Sequence, residues 1–190
     1  MSGRPEKRAP LPARPHYSAA VHIRRERPSD APQVHDVVEA AFAAEPAGEA
    51  GLVDALRLDP GWIPALSWVA EDDGATGRVI GHVVCTRATV DGRPALGLGP
   101  LSVHPDHQRR GVGSALVHAV LGAADALDEP VVVLLGSPTY YSRFGFAPAA
   151  DLGIEPPVAE WAPHFQVRTL SAWDGSLRGP FAYARPFDDL

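Results

Sequence analysis

Gly111 and Gly113 stand two residues apart in the stretch GLGPLSVHPDHQRRGVGSALVHAVLGAADAL, residues 97–127, with Arg109 and Arg110 directly before them. Val112, Leu116, Val120, Ala123 and Leu127 then recur at helical spacing, which predicts a helix starting at or near Gly111 with one buried stripe. The first-turn N–H groups of a helix have no partner within it, and the helix dipole puts partial positive charge beside them. Such a turn binds anions. Glycine at its head lets a phosphate reach the main chain, and the paired arginines add charge of the right sign.

Two glycine-rich phosphate motifs are excluded at once. A dinucleotide fingerprint needs a third glycine where Leu116 stands, and an acidic residue about 20 positions on, where Val131 to Gly136 offers none. A P-loop needs Gly-Lys followed by Ser or Thr, a triplet found nowhere in the chain. His104 and His107 lack a third ligand at metal-site spacing, so no metal is expected. Cys85, the one cysteine, excludes an internal disulfide and sits in an apolar run as buried filler.

Gln108-Arg109-Arg110-Gly111-Val112-Gly113 resembles the acyl-CoA signature of the GNAT superfamily of N-acetyltransferases: Gln or Arg, two variable residues, Gly, one variable residue, then Gly or Ala. The preceding Leu101-Ser102-Val103-His104-Pro105 is similar to the superfamily's fourth strand. Tyr141-Ser142-Arg143-Phe144-Gly145-Phe146 looks like its tyrosine-bearing helix, which ends in Gly-Phe four residues after the tyrosine. The likeness runs from about Val21 to the C-terminus and is closest in Leu96 to Phe146.

This resemblance implies an acetyl-CoA-dependent transferase in which an amine attacks the thioester directly, with no acyl-enzyme. The protein then supplies positioning, oxyanion stabilisation and proton transfer. It further implies that backbone groups of Leu101, Ser102 and Val103 hold the pantetheine arm and thioester oxygen. The amides of Arg109, Arg110, Gly111, Val112, Gly113 and Ser114 hold the pyrophosphate, with Gln108 leading into the loop. Tyr141 is the candidate general acid for the departing thiolate, since a phenol near pH 10 and a thiol near 8.5 are close enough for late proton transfer. Ser137 and Tyr140 flank the cofactor.

The glutamate that some members carry on the fourth strand is missing here, because residues 95–100 read Ala-Leu-Gly-Leu-Gly-Pro. Glu71, His82 and His104 are alternative bases or water-orienters. The missing acid also motivates a second hypothesis, a non-catalytic acyl-CoA-binding regulatory or sensor module. A third is a generic nucleotide-phosphate binder.

The elements that must position these residues can be read in order. Residues 1–20 are rich in Pro, Lys and Arg and poor in bulky apolar residues, which predicts a disordered tail ahead of one domain over 21–190. Val21 to Glu26 alternates as a strand. Ser29 or Asp30 should cap a helix with Val34, Val37, Val38, Ala41 and Phe42 inward. Glu49 to Leu58 forms a shorter helix ended by Pro60-Gly61. Leu66 to Glu71, Val79 to Val90 and Pro94 to Val103 make an antiparallel meander joined at Asp72-Asp73-Gly74 and Asp91-Gly92.

Gly97, Gly99 and Pro100 should distort the last of these strands, freeing backbone groups to pair with an extended amide-bearing ligand. VVVLLG, from Val131, reads as a buried parallel strand, so that strand, loop, helix and strand form one βαβ unit with the phosphate loop at the strand's carboxyl end. Phe165 to Leu170 and Pro180 to Phe187 are terminal strands. The fold class is therefore α/β (α+β): a mixed, mostly antiparallel sheet of about six to seven strands flanked by helices.

The 190 residues carry a formal charge of −6, which argues against nucleic acid and leans toward a cationic acceptor. No apolar run is long enough to span a membrane, and no signal-like apolar segment follows the basic start, so a cytoplasmic monomer or homodimer is expected. Acceptor specificity falls to the first two helices, the hairpin loops and residues 151–179, where Trp62, Trp161, His164 and Trp173 are either pocket or core residues. A small amine, an aminoglycoside-like drug, a protein N-terminus or a lysine, small molecule or peptide, all fit.

Overall fold

The computed structural model describes residues 21–44, 48–72 and 77–189; the expected tail and the Asp73-Gly74 turn lie outside them. Its strands are β1 (Val21–Arg25), β2 (Trp62–Asp72), β3 (Val79–Val90), β4 (Arg93–Val103), β5 (Val131–Leu135), β6 (Ala147–Pro148), β7 (Ile154–Glu155), β8 (Phe165–Thr169) and β9 (Gly179–Ala182). The α-helices are α1 (Ala31–Ala41), α2 (Glu49–Leu58), α3 (Val112–Asp125) and α4 (Pro138–Tyr141). The main sheet runs β1-β2-β3-β4-β5-β8-β6, and β9 joins β3 and β7 at one side. Only β4 and β5 are parallel within the main run; its other pairings are antiparallel.

Alternation along β3, with its phase shifted by a bulge in the pairing with β2 between Val79 and Gly81, divides the core between the two faces of the sheet. Val83 and Cys85 pack with Leu116, Val117 and Val120 of α3. On the other face Val84 meets Leu52 and Leu56 of α2, while Val79 meets Val34, Val37 and Val38 of α1. Cys85 is fully buried, and burial pushes its thiol pKa far up.

Several boundaries depart from the sequence reading. β2 begins at Trp62, so its N-terminal half is longer than the apolar run alone indicated. α3 ends at Asp125, which leaves Leu127 beyond it and half exposed, while Val117, Leu121 and Ala124 widen the buried stripe. Asp30 does stand at the N-cap of α1 but does not cap it. Its carboxylate instead takes hydrogen bonds from Arg24, at 2.6 and 3.0 Å, and from the Arg27 amide at 2.7 Å. A charge-assisted bidentate contact is stronger than a single neutral cap, so the side chain turns that way. The expected last strand stops at Ala182, and Arg185 to Asp189 coil into a 3-10 turn.

Candidate active site

Local backbone chemistry builds the site from two ends. At one end, Arg109 and Gly111 both take positive φ, 58° and 86°, which turns the chain sharply into α3. No side chain caps this helix, and its first internal hydrogen bond is from the Ala115 N–H to the Gly111 carbonyl at 3.0 Å. A Cβ at Gly111 would meet nothing within 4 Å, so the turn opens outward. This is the uncapped, glycine-headed turn an anion needs. Arg109 and Arg110 are exposed beside it. Gln108 is directed elsewhere: its amide donates to the Val103 carbonyl at 3.1 Å and braces the loop on the end of β4.

Gly113 has a different reason to be glycine. A Cβ there would lie 2.7 Å from the Tyr140 hydroxyl, so the missing side chain makes room for Tyr140 over the first turn of α3.

At the other end β4 bulges. Three steps along it, Leu98 to Leu101, face two along β3, Cys85 to Val83. β4 and β5 pair only at Leu96 with Val132 and Gly97 with Val133, then part. Beyond that point the β5-facing edge of β4 has no strand partner. The His104 N–H donates to the Ile80 carbonyl at 2.9 Å, so antiparallel alternation turns the Ser102 amide toward β3 and those of Leu101 and Val103 toward the gap. Ser102 is thus the member of the expected set whose backbone is committed within the sheet, and its buried hydroxyl has no partner. Leu101 and Val103 face α3, against the position a Cβ of Gly113 would occupy.

A cavity of about 570 Å³ lies where β4 and β5 part. Leu98 to Leu101, Leu135 and Tyr141 line it, together with Phe181, Tyr183 and Phe187 from the C-terminal segment. Tyr141 is half buried, its ring packed edge-on against Phe146 at 5.7 Å and over Gly136, where a Cβ would come within 2.5 Å. Burial raises the pKa of its phenol well above the usual value, with smaller contributions from Tyr140 and Cys85. Adjacent residues of α4 therefore span the site: Tyr140 lies over the first turn of α3 and Tyr141 lines the cavity.

None of the alternative bases lines this cavity. Glu71 is held by Arg24 at the β1–β2 edge, and the His104 ring accepts from the Asp106 amide at 3.3 Å in the loop. His82 is fully buried beside Glu26 and Ser67, at 3.1 and 2.9 Å. Trp161 reaches the cavity. Trp62 packs with Leu52 and Leu56, Trp173 packs with the Phe165 cluster, and His164 does not line the cavity.

The His82 cluster has a consequence for stability. Burial holds the imidazole pKa below its ordinary value. Burial would raise that of Glu26, but hydrogen bonds from His82 and Ser67 and the Arg57 charge hold this carboxyl well below its usual range. For both groups the unfolded chain binds the proton first. Their contribution is therefore complete above about pH 6.5 for His82 and about 4.3 for Glu26, and is lost below those values. The urea midpoint should fall from pH 7.5 to pH 5, with the unfolding free energy dropping by up to about 1.4 kcal/mol per pH unit below 6.5 for His82 alone. A midpoint that stays level over that range would contradict the assignment.

Among the described residues no group of three or more His, Cys, Asp or Glu is placed to hold a metal, and no helix is long and apolar enough to cross a membrane.

The family model described as Acetyltransferase (GNAT) domain matches residues 22–149. The chain is 38% identical over 161 residues to the N-acetyltransferase YhbS of Escherichia coli, covering 83% of this chain and 90% of that one. The crystal structure of Escherichia coli YhbS in complex with CoA superimposes with a TM-score of 0.84 at 32% identity, covering 93% of this chain and 96% of that one. A GNAT family acetyltransferase of Brucella melitensis in complex with acetyl-CoA gives a TM-score of 0.73 at 34% identity, covering 90% and 100%. A bulged fourth strand that parts from the fifth, an uncapped glycine turn at its carboxyl end and these likenesses agree: the chain is an acyltransferase and belongs to the GNAT acetyltransferase family.

Proposed function

We propose that this chain transfers the acetyl group of acetyl-CoA to an amine by direct attack within a ternary complex. The observation that carries the reading is one continuous arrangement: the open turn at Gly111, the unpartnered edge of β4 at Leu101 and Val103, and a cavity that Tyr141 lines. The relatives of known structure were solved with CoA and acetyl-CoA, which fits that arrangement. Acetyl-CoA supplies an activated acetyl group as its thioester.

The first-turn amides of α3, with Arg109 and Arg110 beside them, hold the diphosphate. The outward N–H and C=O of Leu101 and the outward N–H of Val103 pair with the amides of the pantetheine arm as an added strand would, the Val103 carbonyl being held by Gln108. As the C–S bond breaks, Tyr141 delivers its phenolic proton to the departing sulfur, and the proton released by the acylated nitrogen returns the phenolate to its neutral form. Its raised pKa keeps it protonated throughout the physiological range, and a thiolate in the same apolar surroundings is itself a stronger base. The thiol and the β4 hydroxyl that could compete as acyl carriers are sealed away: Cys85 is 0% and Ser102 is 2% exposed. That sealing supports direct attack over a covalent intermediate. The non-catalytic module draws no support from the relatives named above.

Thiol release from acetyl-CoA, followed with a panel of amines, tests the reading. Release should require both substrates, and double-reciprocal plots should intersect instead of running parallel. CoA binding with no amine-dependent thiol release would mean a non-catalytic acyl-CoA module.

A further inference from the structure

The cavity beside Tyr141 has a chemistry of its own. Its walls are aromatic: Tyr183 lies 4.7 Å from both Phe181 and Phe187, ring centre to ring centre, and Trp161 joins them. Leu135 is the exposed residue of a strand whose other four are buried, and it lines this space. Among the described lining residues there is no Lys, Arg or His, while Glu49, at the head of α2, and the exposed Asp188 carry negative charge.

From this we propose, resting on the acetyltransferase reading, that the acceptor is a hydrophobic primary monoamine with an aryl or alkylaryl body. Glu49 and Asp188 draw the ammonium toward the cavity, as like-signed charge around a cleft steers an oppositely charged ligand. The aromatic walls take up the body. Low polarity inside also favours the neutral amine, the form with a free lone pair for attack. A second ammonium on the same ligand has to be desolvated against these walls, which disfavours polyamines and aminoglycosides. The volume, about 570 Å³, is that of a small-molecule site.

The test measures equilibrium binding to the full chain saturated with CoA, so that it does not depend on turnover. Phenethylamine, 1,6-diaminohexane and a short peptide with a free N-terminus are compared. Phenethylamine should bind about tenfold more tightly than either of the others, the ratio expected for burying one aromatic body. The double variant Glu49→Gln, Asp188→Asn should weaken phenethylamine roughly fivefold at low salt, and the difference should shrink at about 0.5 M salt. Tighter binding of the diamine or the peptide, no measurable phenethylamine binding, or a salt-independent effect of the variant would each overturn the proposal. The acetyltransferase reading falls on a separate result, the absence of thiol release with every amine tried.

Discussion

Tyr141→Phe should lower kcat for amine acetylation about 100-fold, the lower part of the range for loss of a general acid, while leaving KM for acetyl-CoA within about twofold. The split follows from where the atoms sit. The ring packs on Phe146 and fills the space over Gly136, and phenylalanine keeps both contacts. Only the hydroxyl is lost, so the melting temperature should move little. The pH profile adds an independent check. An acid works while it is protonated, and a pKa raised by burial moves its loss to higher pH. The wild-type kcat should therefore show no alkaline decline from this group at about pH 10, where an ordinary phenol is already half ionised. Unchanged kcat in the variant would remove Tyr141 from the chemistry.

The second large effect belongs to the glycine turn at the head of α3, the proposed diphosphate site. Gly111→Val places a β-branched side chain at φ 86° and fills the open space in front of the first-turn amides. Two or so charge-assisted hydrogen bonds to the diphosphate are then blocked, which corresponds to about a 100-fold rise in the dissociation constant for CoA. Some stability is lost as well, about 1–2 kcal/mol for a branched residue in the left-handed region. Measuring CoA affinity well below the melting temperature keeps the two effects apart. By contrast, a Cβ at Gly113 points at the end of a tyrosine side chain, which can swing aside. Gly113→Ala should cost less CoA affinity than Gly111→Val.

That contrast shows what the sequence could and could not reveal. Both glycines read as phosphate cradle, because spacing along a helix says nothing about what another segment lays against it. Tyr140 arrives over Gly113 from α4, some 27 positions downstream. Gly97 is similar. The distortion expected just before Leu101 is there, between Leu98 and Leu101, but Gly97 lies outside it, and a Cβ at Gly97 would come 2.7 Å from the Tyr183 ring. The local signals held where one segment decides its own conformation: α2 from Glu49 to Leu58, β3 from Val79 to Val90, and the start of α3 at Gly111.

The C-terminal segment was the harder part. Pro180 to Phe187 alternates like a strand, but only Gly179–Ala182 pairs, and the remainder folds over the gap between β4 and β5 as a wall of the cavity. Its aromatics carry no motif, so nothing in the chain marked them as site residues. Glu49 was hidden for a related reason. It stands in the first turn of α2 as an acid that complements the helix dipole, and only the tertiary fold brings it to the cavity that Asp188 also lines. The strand-four acid, absent from residues 95–100, left the base search on Glu71, His82 and His104. Their fixed partners elsewhere explain why none of them faces the site.

In the proposed reaction, bare main-chain donors at the head of α3 receive the diphosphate. Two-dimensional amide NMR during a CoA titration reads those donors directly. The amide signals of Gly111, Val112, Gly113 and Ser114 should move furthest and saturate together, with Ala115, already bonded to the Gly111 carbonyl, moving less. Saturable CoA binding that leaves these four signals in place would contradict it.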